Sequence, residues 1–395
     1  MYNESTNRKI RILFFSATNL INGRGTEKVI SEFIANAPLD KFEIYLMESD
    51  SFSAKRLDEK LLRKVNKNVT QIFKFKIIDY KFEFTKKNIF LFIINELLLR
   101  PINLYYQRFI NQRKLLYKVK NYSIDIVYMG YNEFLPFVRG LHSKIILTTH
   151  NLPAKYPLIS RIILNLGSNR LYYHGITGIH YFPAFKQFIK KSKKMYNLCL
   201  PNGSSTEKFK PKNNTNKSLQ ILFVGTIEKE KGILDFLNIF YLLKDTDIDF
   251  HIVGNGPLDH EIRIMSKKYQ NLYYHGLVNQ IELERIYSES DIFLYPTKRD
   301  NFALVVLDAL SSGLYVITSC LLKGTYDDFQ KLNYLEYNSF NNYNTIAVKL
   351  QKLNKNRENL RKLKCSIHEY TAQKYDWKEI SNRLYKYFEY INDNK

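Results

Sequence analysis

Short, apolar, β-rich runs alternate with helical stretches along the chain, and this alternation limits the fold more than any other feature. RILFFSA (11–17), FEIYLM (42–47), DIVYMG (125–130) and KIILTTH (144–150) read as buried strands. LQILFVG (219–225), DFHIVG (249–254), NLYYHG (271–276), DIFLYP (291–296) and LYVITS (314–319) form a second series. Helical stretches such as 27–37, 234–243, 281–288 and 304–310 lie between them. Apolar strands joined by helices belong to parallel sheets covered on both faces, the doubly wound α/β class. The two series are separated by FKPKNNTNKS (209–218), which is polar, rich in Asn and Lys, and contains Pro211. The expectation is two Rossmann-like domains, 1–208 and 219–375, joined by the linker 209–218 and followed by a helical segment, 376–395. In DWKEISNRLYKYFEY (376–390), Trp377, Ile380, Leu384, Tyr387 and Phe388 share one side of a helix.

Length and composition fit that division. A chain of 395 residues is long enough for two domains, and 45% hydrophobic with 25% charged residues excludes disordered, collagen-like and coiled-coil classes. Cys199, Cys320 and Cys365 are scattered and odd in number, which predicts neither a disulfide framework nor a zinc site, but a reducing compartment. The apolar run beginning at Ile10 is too short for a signal-peptide core. The most apolar stretch, 89–99, is interrupted by Asn95 and Glu96, so no bilayer-spanning helix is expected. The charge is uneven. Of the net +22, +19 falls in residues 1–200, which hold 33 Lys and Arg against 14 Asp and Glu; residues 151–200 have eight basic side chains and no acid. Such asymmetry points to an anionic partner of the first half: a membrane surface, an acidic acceptor or a nucleic acid.

Ligands of doubly wound domains bind beyond the carboxyl ends of the strands, and four segments there carry unusual residues. In NLINGRGTEKVISEF (19–33), Gly23 and Gly25 permit close backbone approach ahead of a helix amino terminus that can bind an anion. Lys28 stands where the third glycine of GxGxxG would be, so a plain tight turn reads equally well. In FVGTIEKEKG (223–232), Lys231 can neutralise phosphate or serve as a solvated loop charge. In PTKRDNFALVVLDAL (296–310), Asp300 and Asp308 can each bind pairs of sugar or ribose hydroxyls. The amides of Phe302, Ala303 and Leu304 open the helix between them. The alternative makes Asp300 an N-cap and Asp308 a surface acid. His150 closes the strand KIILTTH, either as a site residue or as a structural histidine. DTDID (245–249) precedes a strand, which makes it a solvated turn instead of a metal motif, and GNG (254–256) lacks the third glycine of a dinucleotide turn.

Taken in order, GTEKVISEF, the THN strand end, LPNGSSTEKFKP (200–211), ILFVGTIEKEKG, HIVGNGPL, YYHGLV, SDIFLYPTKRDNFALVVLDALSSG and YDW form a recognisable series. The chain resembles the glycosyltransferase group 1 family (family 4 of the retaining glycosyltransferases). That resemblance implies the GT-B fold: two Rossmann-like doubly wound domains facing across a cleft, an acceptor-binding first domain, a nucleotide-sugar-binding second domain, and a last helix that crosses back to the first. It implies that Asp300 and Asp308 occupy the acid positions of the E-x7-E motif, Asp300 facing the donor sugar and Asp308 the ribose. Lys231 and Gly25 then meet the donor diphosphate, and His150 lies near the sugar. It further implies retention of configuration, no metal and no cofactor besides a nucleotide sugar, UDP-sugar ahead of GDP-sugar. The acceptor is a glycan or lipid-linked molecule of cell-surface polysaccharide or glycoconjugate synthesis. The basic half then makes electrostatic contact with an anionic membrane from the cytoplasmic side, and no nucleic acid is expected.

Several positions depart from the family pattern. Both motif acids are aspartates, each shorter than glutamate by one methylene, roughly 1.5 Å of reach. Thr226 replaces a basic residue that would meet the diphosphate, a charge that Arg299 or Lys229 could supply. Gly25-Thr26 and Gly324-Thr325 replace glycine pairs, and Tyr315 replaces a proline. The rival readings are a nucleotide-sugar-binding homologue without turnover and a basic membrane- or nucleic-acid-binding protein. Carboxylates at 300 and 308 would repel a nucleic-acid backbone.

Overall fold

The apolar runs become strands of two parallel sheets, all of them inner strands except NLYYHG, which lies at an edge. The computed structural model describes residues 8–16, 19–22, 25–49, 58–75, 113, 117–129, 143–149, 171–176, 200–212, 216–300 and 302–393. β1 (Ile10–Phe15), β2 (Phe42–Ser49), β3 (Val69–Phe75), β4 (Ile126–Met129), β5 (Lys144–Thr149) and β6 (Leu171–Ile176) form one sheet, in the order β3-β2-β1-β4-β5-β6. β7 (Leu219–Val224), β8 (Ile248–Val253), β9 (Leu272–Gly276), β10 (Ile292–Tyr295), β11 (Tyr315–Ser319) and β12 (Leu335–Asn338) form the other, in the order β12-β11-β10-β7-β8-β9. All neighbouring strands are parallel. Every residue of the inner strands β4, β7 and β10 is buried, as a sheet covered on both faces requires. The edge strand β12 alternates between buried and half-buried positions.

The chain divides into two units. The second is built on Pro201–Ile380, and the first on the residues before it together with Ser381–Lys395. Residues 201–208, expected at the end of the first domain, and Phe209, expected in the linker, fall in the second unit. Phe209 packs edge-on against Tyr287 at 5.3 Å. Ser204 donates its N–H to the Tyr375 carbonyl at 2.8 Å and accepts at its own carbonyl from Trp377 at 3.2 Å.

The helix Trp377–Asp393 begins in the second unit and supplies core to the first. The rings of Phe14, Phe42 and Tyr128 lie 6.2–6.4 Å from that of Phe388. The apolar side differs from expectation at one position: Tyr385 is buried where Tyr387 is only half-buried. Its partners decide this, since Tyr385 sits 4.9 Å from the Phe42 ring and donates to the Phe33 carbonyl at 3.0 Å.

One polar ladder crosses the second sheet. Gln220 donates through Nε2 to Ser218 Oγ (2.7 Å) and Asp249 Oδ2 (2.9 Å), so its Oε1 accepts from His251 Nε2 at 2.7 Å. That leaves His251 Nδ1 to accept from His275 Nε2 at 3.0 Å, and both rings are neutral. Burial, then the neighbouring His275, pushes His251 down to about 4; Arg285 opposes its protonation and Asp249 favours it. His275 is lowered by burial too, with Glu282 and Arg285 of the helix Gln280–Glu289 acting in opposite directions. A histidine whose pKa is lowered on folding takes its proton first in the unfolded chain. Stability should therefore fall as pH drops from about 6.5 towards 4, by about 2–3 kcal/mol from His251. Thermal unfolding at pH 7, 5.5 and 4.5 checks this: His251→Gln should flatten the dependence. Parallel curves for the two proteins would show that the pair contributes none of it.

Candidate active site

Strand order places the site. From β7 the chain runs outward through β8 to β9, then returns to the other side of β7 as β10 and runs outward through β11 to β12. The connections after β7 and β10 therefore leave in opposite directions, and a crevice opens beyond the carboxyl ends of these two strands. Lys231 lies in the first connection and Asp300 in the second. The carbonyl of Glu230 accepts from Lys298 N (2.9 Å), Arg299 N (3.0 Å) and Thr297 Oγ1 (3.3 Å), which ties the two loops together. Gly232 permits this closeness. Its φ is +82°, and a Cβ there would stand 1.9 Å from the Pro296 carbonyl oxygen.

Lys231 Nζ donates to Asp300 Oδ2 at 2.8 Å and to the Arg299 carbonyl at 3.3 Å. The Tyr295 hydroxyl, from the last residue of β10, donates to the same carboxylate oxygen at 2.9 Å, and the Ala303 amide donates to Oδ1 at 3.1 Å. Burial pushes the Asp300 carboxyl up. The Lys231 charge and hydrogen bond, the Ala303 amide and the Tyr295 hydroxyl outweigh it and hold the group below the usual aspartate value. Tyr295, buried beside Asp300, is raised well above 10 and keeps its proton as a donor.

The helix Leu304–Ser311 starts at this turn, with Phe302 and Ala303 buried and Leu304 half-buried. Asp308 lies one turn inside it. Only 6% exposed, it is no surface acid; its Oδ1 accepts from the fully buried Ser204 hydroxyl at 2.8 Å. Ser204 is held in turn by the segment 203–206, where a Cβ on Gly203 would stand 2.8 Å from the Trp377 ring. Ala303, not Asp300, is the N-cap of the helix Leu304–Ser311, and Asp300 is at once the acceptor of the Ala303 amide and the partner of a cation.

Thr226, Lys229 and Arg299 are exposed in the same pair of loops. Gly25 belongs to the first unit, exposed at the first position of the helix Gly25–Ala35, and a Cβ there would meet nothing within 4 Å. His150 and the eight basic side chains of residues 151–200 lie outside the described residues. Tyr295, Ser204 and Tyr326, which hold Asp300, Asp308 and the turn at Ala303, are site residues that motif spacing does not single out. Among the described residues no group of three His, Cys, Asp or Glu side chains is arranged to hold a metal ion, and no helix is long and apolar enough to cross a membrane.

Residues 204–368, which contain Ser204, Lys231, Asp300 and Asp308, match the family described as glycosyl transferases group 1. The second unit is similar to the group 1 glycosyl transferases over nearly its whole length. The chain is 30% identical over 133 residues to an uncharacterized 41.2 kDa protein in the cps region of Klebsiella pneumoniae, covering 33% of this chain and 36% of that protein. It is 28% identical over 153 residues to a UDP-Gal:α-D-GlcNAc-diphosphoundecaprenol α-1,3-galactosyltransferase of Escherichia coli, covering 33% of this chain and 40% of that one. The chain thus spans well under half the length of these curated relatives. Among solved structures, Anabaena HepE in complex with UDP and glucose aligns with a TM-score of 0.67 at 11% identity, over 96% of this chain and 99% of that one. At that identity the likeness concerns the fold, which is GT-B, with residues 204–368 in its second Rossmann-like unit.

Proposed function

We propose that the chain transfers a sugar from a nucleotide-sugar donor to a glycan or lipid-linked acceptor in the synthesis of a cell-surface polysaccharide or glycoconjugate. The transfer is of hexosyl type, retains configuration and needs no metal. The observation that carries this reading is the Lys231–Asp300 pair at the switch point of the second sheet, 2.8 Å apart. It sets a cation suited to a diphosphate beside a carboxylate suited to sugar hydroxyls. As the bond from the anomeric carbon to the diphosphate oxygen breaks, negative charge gathers on the departing phosphate. Lys231 can turn its ammonium from Asp300 to that oxygen, and the amides at the start of Leu304–Ser311 face developing negative charge favourably. The Asp300 carboxylate is then released towards the electron-poor sugar. Asp308 already accepts one hydroxyl, from Ser204, and is a hydroxyl acceptor by type, as a ribose requires. The names of the relatives support UDP as the nucleotide and a polyprenyl diphosphate as a type of acceptor.

Calorimetric titration with UDP, GDP and ADP, with and without magnesium, tests the donor site. One nucleotide, UDP first, should bind equally well without metal, and Lys231→Ala should weaken it about tenfold or more, the worth of one charge-assisted bond. Binding of no nucleotide, or binding indifferent to Lys231, would sink this reading.

A further inference from the structure

Ala303 has φ 27° and ψ 72°, in the left-handed region that residues other than glycine avoid. It stands where the loop from β10 turns into the helix Leu304–Ser311, so its backbone sets the path of the residues just before it. Asp300 depends on that path directly, because its Oδ1 accepts from the Ala303 amide at 3.1 Å. A strained conformation of this kind persists only where its surroundings hold it.

The holding group is Tyr326, which follows β11 on a different loop. Its hydroxyl lies 2.5 Å from the Phe302 carbonyl oxygen and 3.1 Å from that of Ala303, so one proton bridges the two peptide groups on either side of the strained residue. Tyr326 is itself fixed. It is wholly buried, its backbone N–H donates to the Tyr337 hydroxyl at 2.9 Å, and its ring lies 5.5 Å from that of Phe302. Burial, with Asp300 the next cause, raises its phenol far above the ordinary value, so the donor proton stays in place. The Ala303 carbonyl takes a second bond, from Val306 N at 2.8 Å, as the helix begins.

We propose that Tyr326 is a positioning residue for Asp300: its hydroxyl clamps the peptide groups around Ala303 and so holds the strained turn that aims the Asp300 carboxylate. The positioning itself needs no substrate. Its importance for turnover rests on the proposed reading of Asp300 as the carboxylate that faces the donor sugar. A buried tyrosine often serves packing alone and finds a carbonyl for its hydroxyl. In that case losing the oxygen would lower the melting temperature and leave Asp300 as it was.

The carboxyl carbon of Asp300 distinguishes the two roles. In protein labelled with 13C-aspartate, its resonance is the one lost in Asp300→Asn, and it should titrate below the usual aspartate range. In Tyr326→Phe, which keeps the ring, the turn slackens, and the amide and ammonium donors to Asp300 loosen. The midpoint should move up by about half a pH unit or more. Adding Ala303→Gly removes the backbone strain and should bring it most of the way back. Tyr337→Phe frees the backbone anchor of Tyr326, together with the Tyr337 bond to Asp327, and should shift the midpoint in the same direction by less; it serves if Tyr326→Phe does not fold. An unmoved midpoint in both tyrosine variants, or a shift that the glycine does not reverse, overturns the proposal.

Turnover of a UDP-sugar then separates it from the reading it rests on. Full turnover in Asp300→Asn would overturn the role of Asp300 and leave the clamp standing. Turnover lost in Asp300→Asn, with both titration and turnover intact in Tyr326→Phe, would overturn the clamp alone.

Discussion

Replacing Gly232 by alanine is expected to unfold the two loops that carry Lys231 and Asp300 and to abolish the proposed nucleotide binding. The added Cβ would lie 1.9 Å from the Pro296 carbonyl oxygen and 2.4 Å from its carbon, both backbone atoms, so no side chain can swing aside. The left-handed φ of +82° adds about 1–2 kcal/mol for any residue with a Cβ. Separating the loops also breaks the bonds from Lys298, Arg299 and Thr297 to the Glu230 carbonyl and withdraws Lys231 from Asp300. The total should be about 2–4 kcal/mol, a fall in melting temperature of roughly 5–15 °C. Differential scanning calorimetry reads the first effect and UDP titration the second. Gly25→Ala is the control, because its Cβ would meet nothing within 4 Å and the fold should not feel it. A Gly232→Ala protein that melts and binds like the parent would show that the two loops can part without consequence.

The second large effect is Asp300→Asn. Turnover should fall by about 10²–10³, the usual consequence of removing one group that stabilises transition-state charge. Nucleotide affinity should hold or improve, because the substitution frees Lys231 from its closest anionic partner, 2.8 Å away. Lys231→Ala should do the reverse to binding. Opposite signs on affinity from two residues that touch each other are hard to produce by general damage to the fold. Measuring UDP binding and sugar transfer on both variants checks this. Equal losses of affinity in the two would mean that the pair is a structural tie.

How much of this is legible in the sequence depends on burial. The inner strands β1, β4, β7 and β10 announce themselves because both of their faces are covered and every second residue need not be polar. β3, β6 and β12 are not expected from the sequence, and all three lie at sheet edges. VTQIFKF mixes polar and apolar residues, and LEYN is four residues long with alternating burial. Such patterns cannot be told from loops without knowing the neighbouring strand. In the site, Asp300 and Asp308 are legible because one loop and one helix carry both. The partners are not. Tyr295, Ser204 and Tyr326 come from separate segments, and in a chain with 30 tyrosines a single one carries no signal. The N-cap reading of Asp300 misses by three residues, because the positive φ of Ala303 delays the helix and leaves the two Asp300 oxygens facing the Ala303 amide and Lys231.

The last helix reverses the usual timing of synthesis and folding. Domains made first on the ribosome generally fold first. Here Leu384, Tyr385, Phe388 and Ile391 are core residues of the first unit. Phe14, Phe42 and Tyr128 lack their Phe388 partner until more than two hundred residues after Tyr128 have been translated. The second unit draws its residues from one nearly continuous stretch and can close beforehand. The core of the first unit is therefore completed late, by a helix that the chain supplies only after nearly all of the second unit.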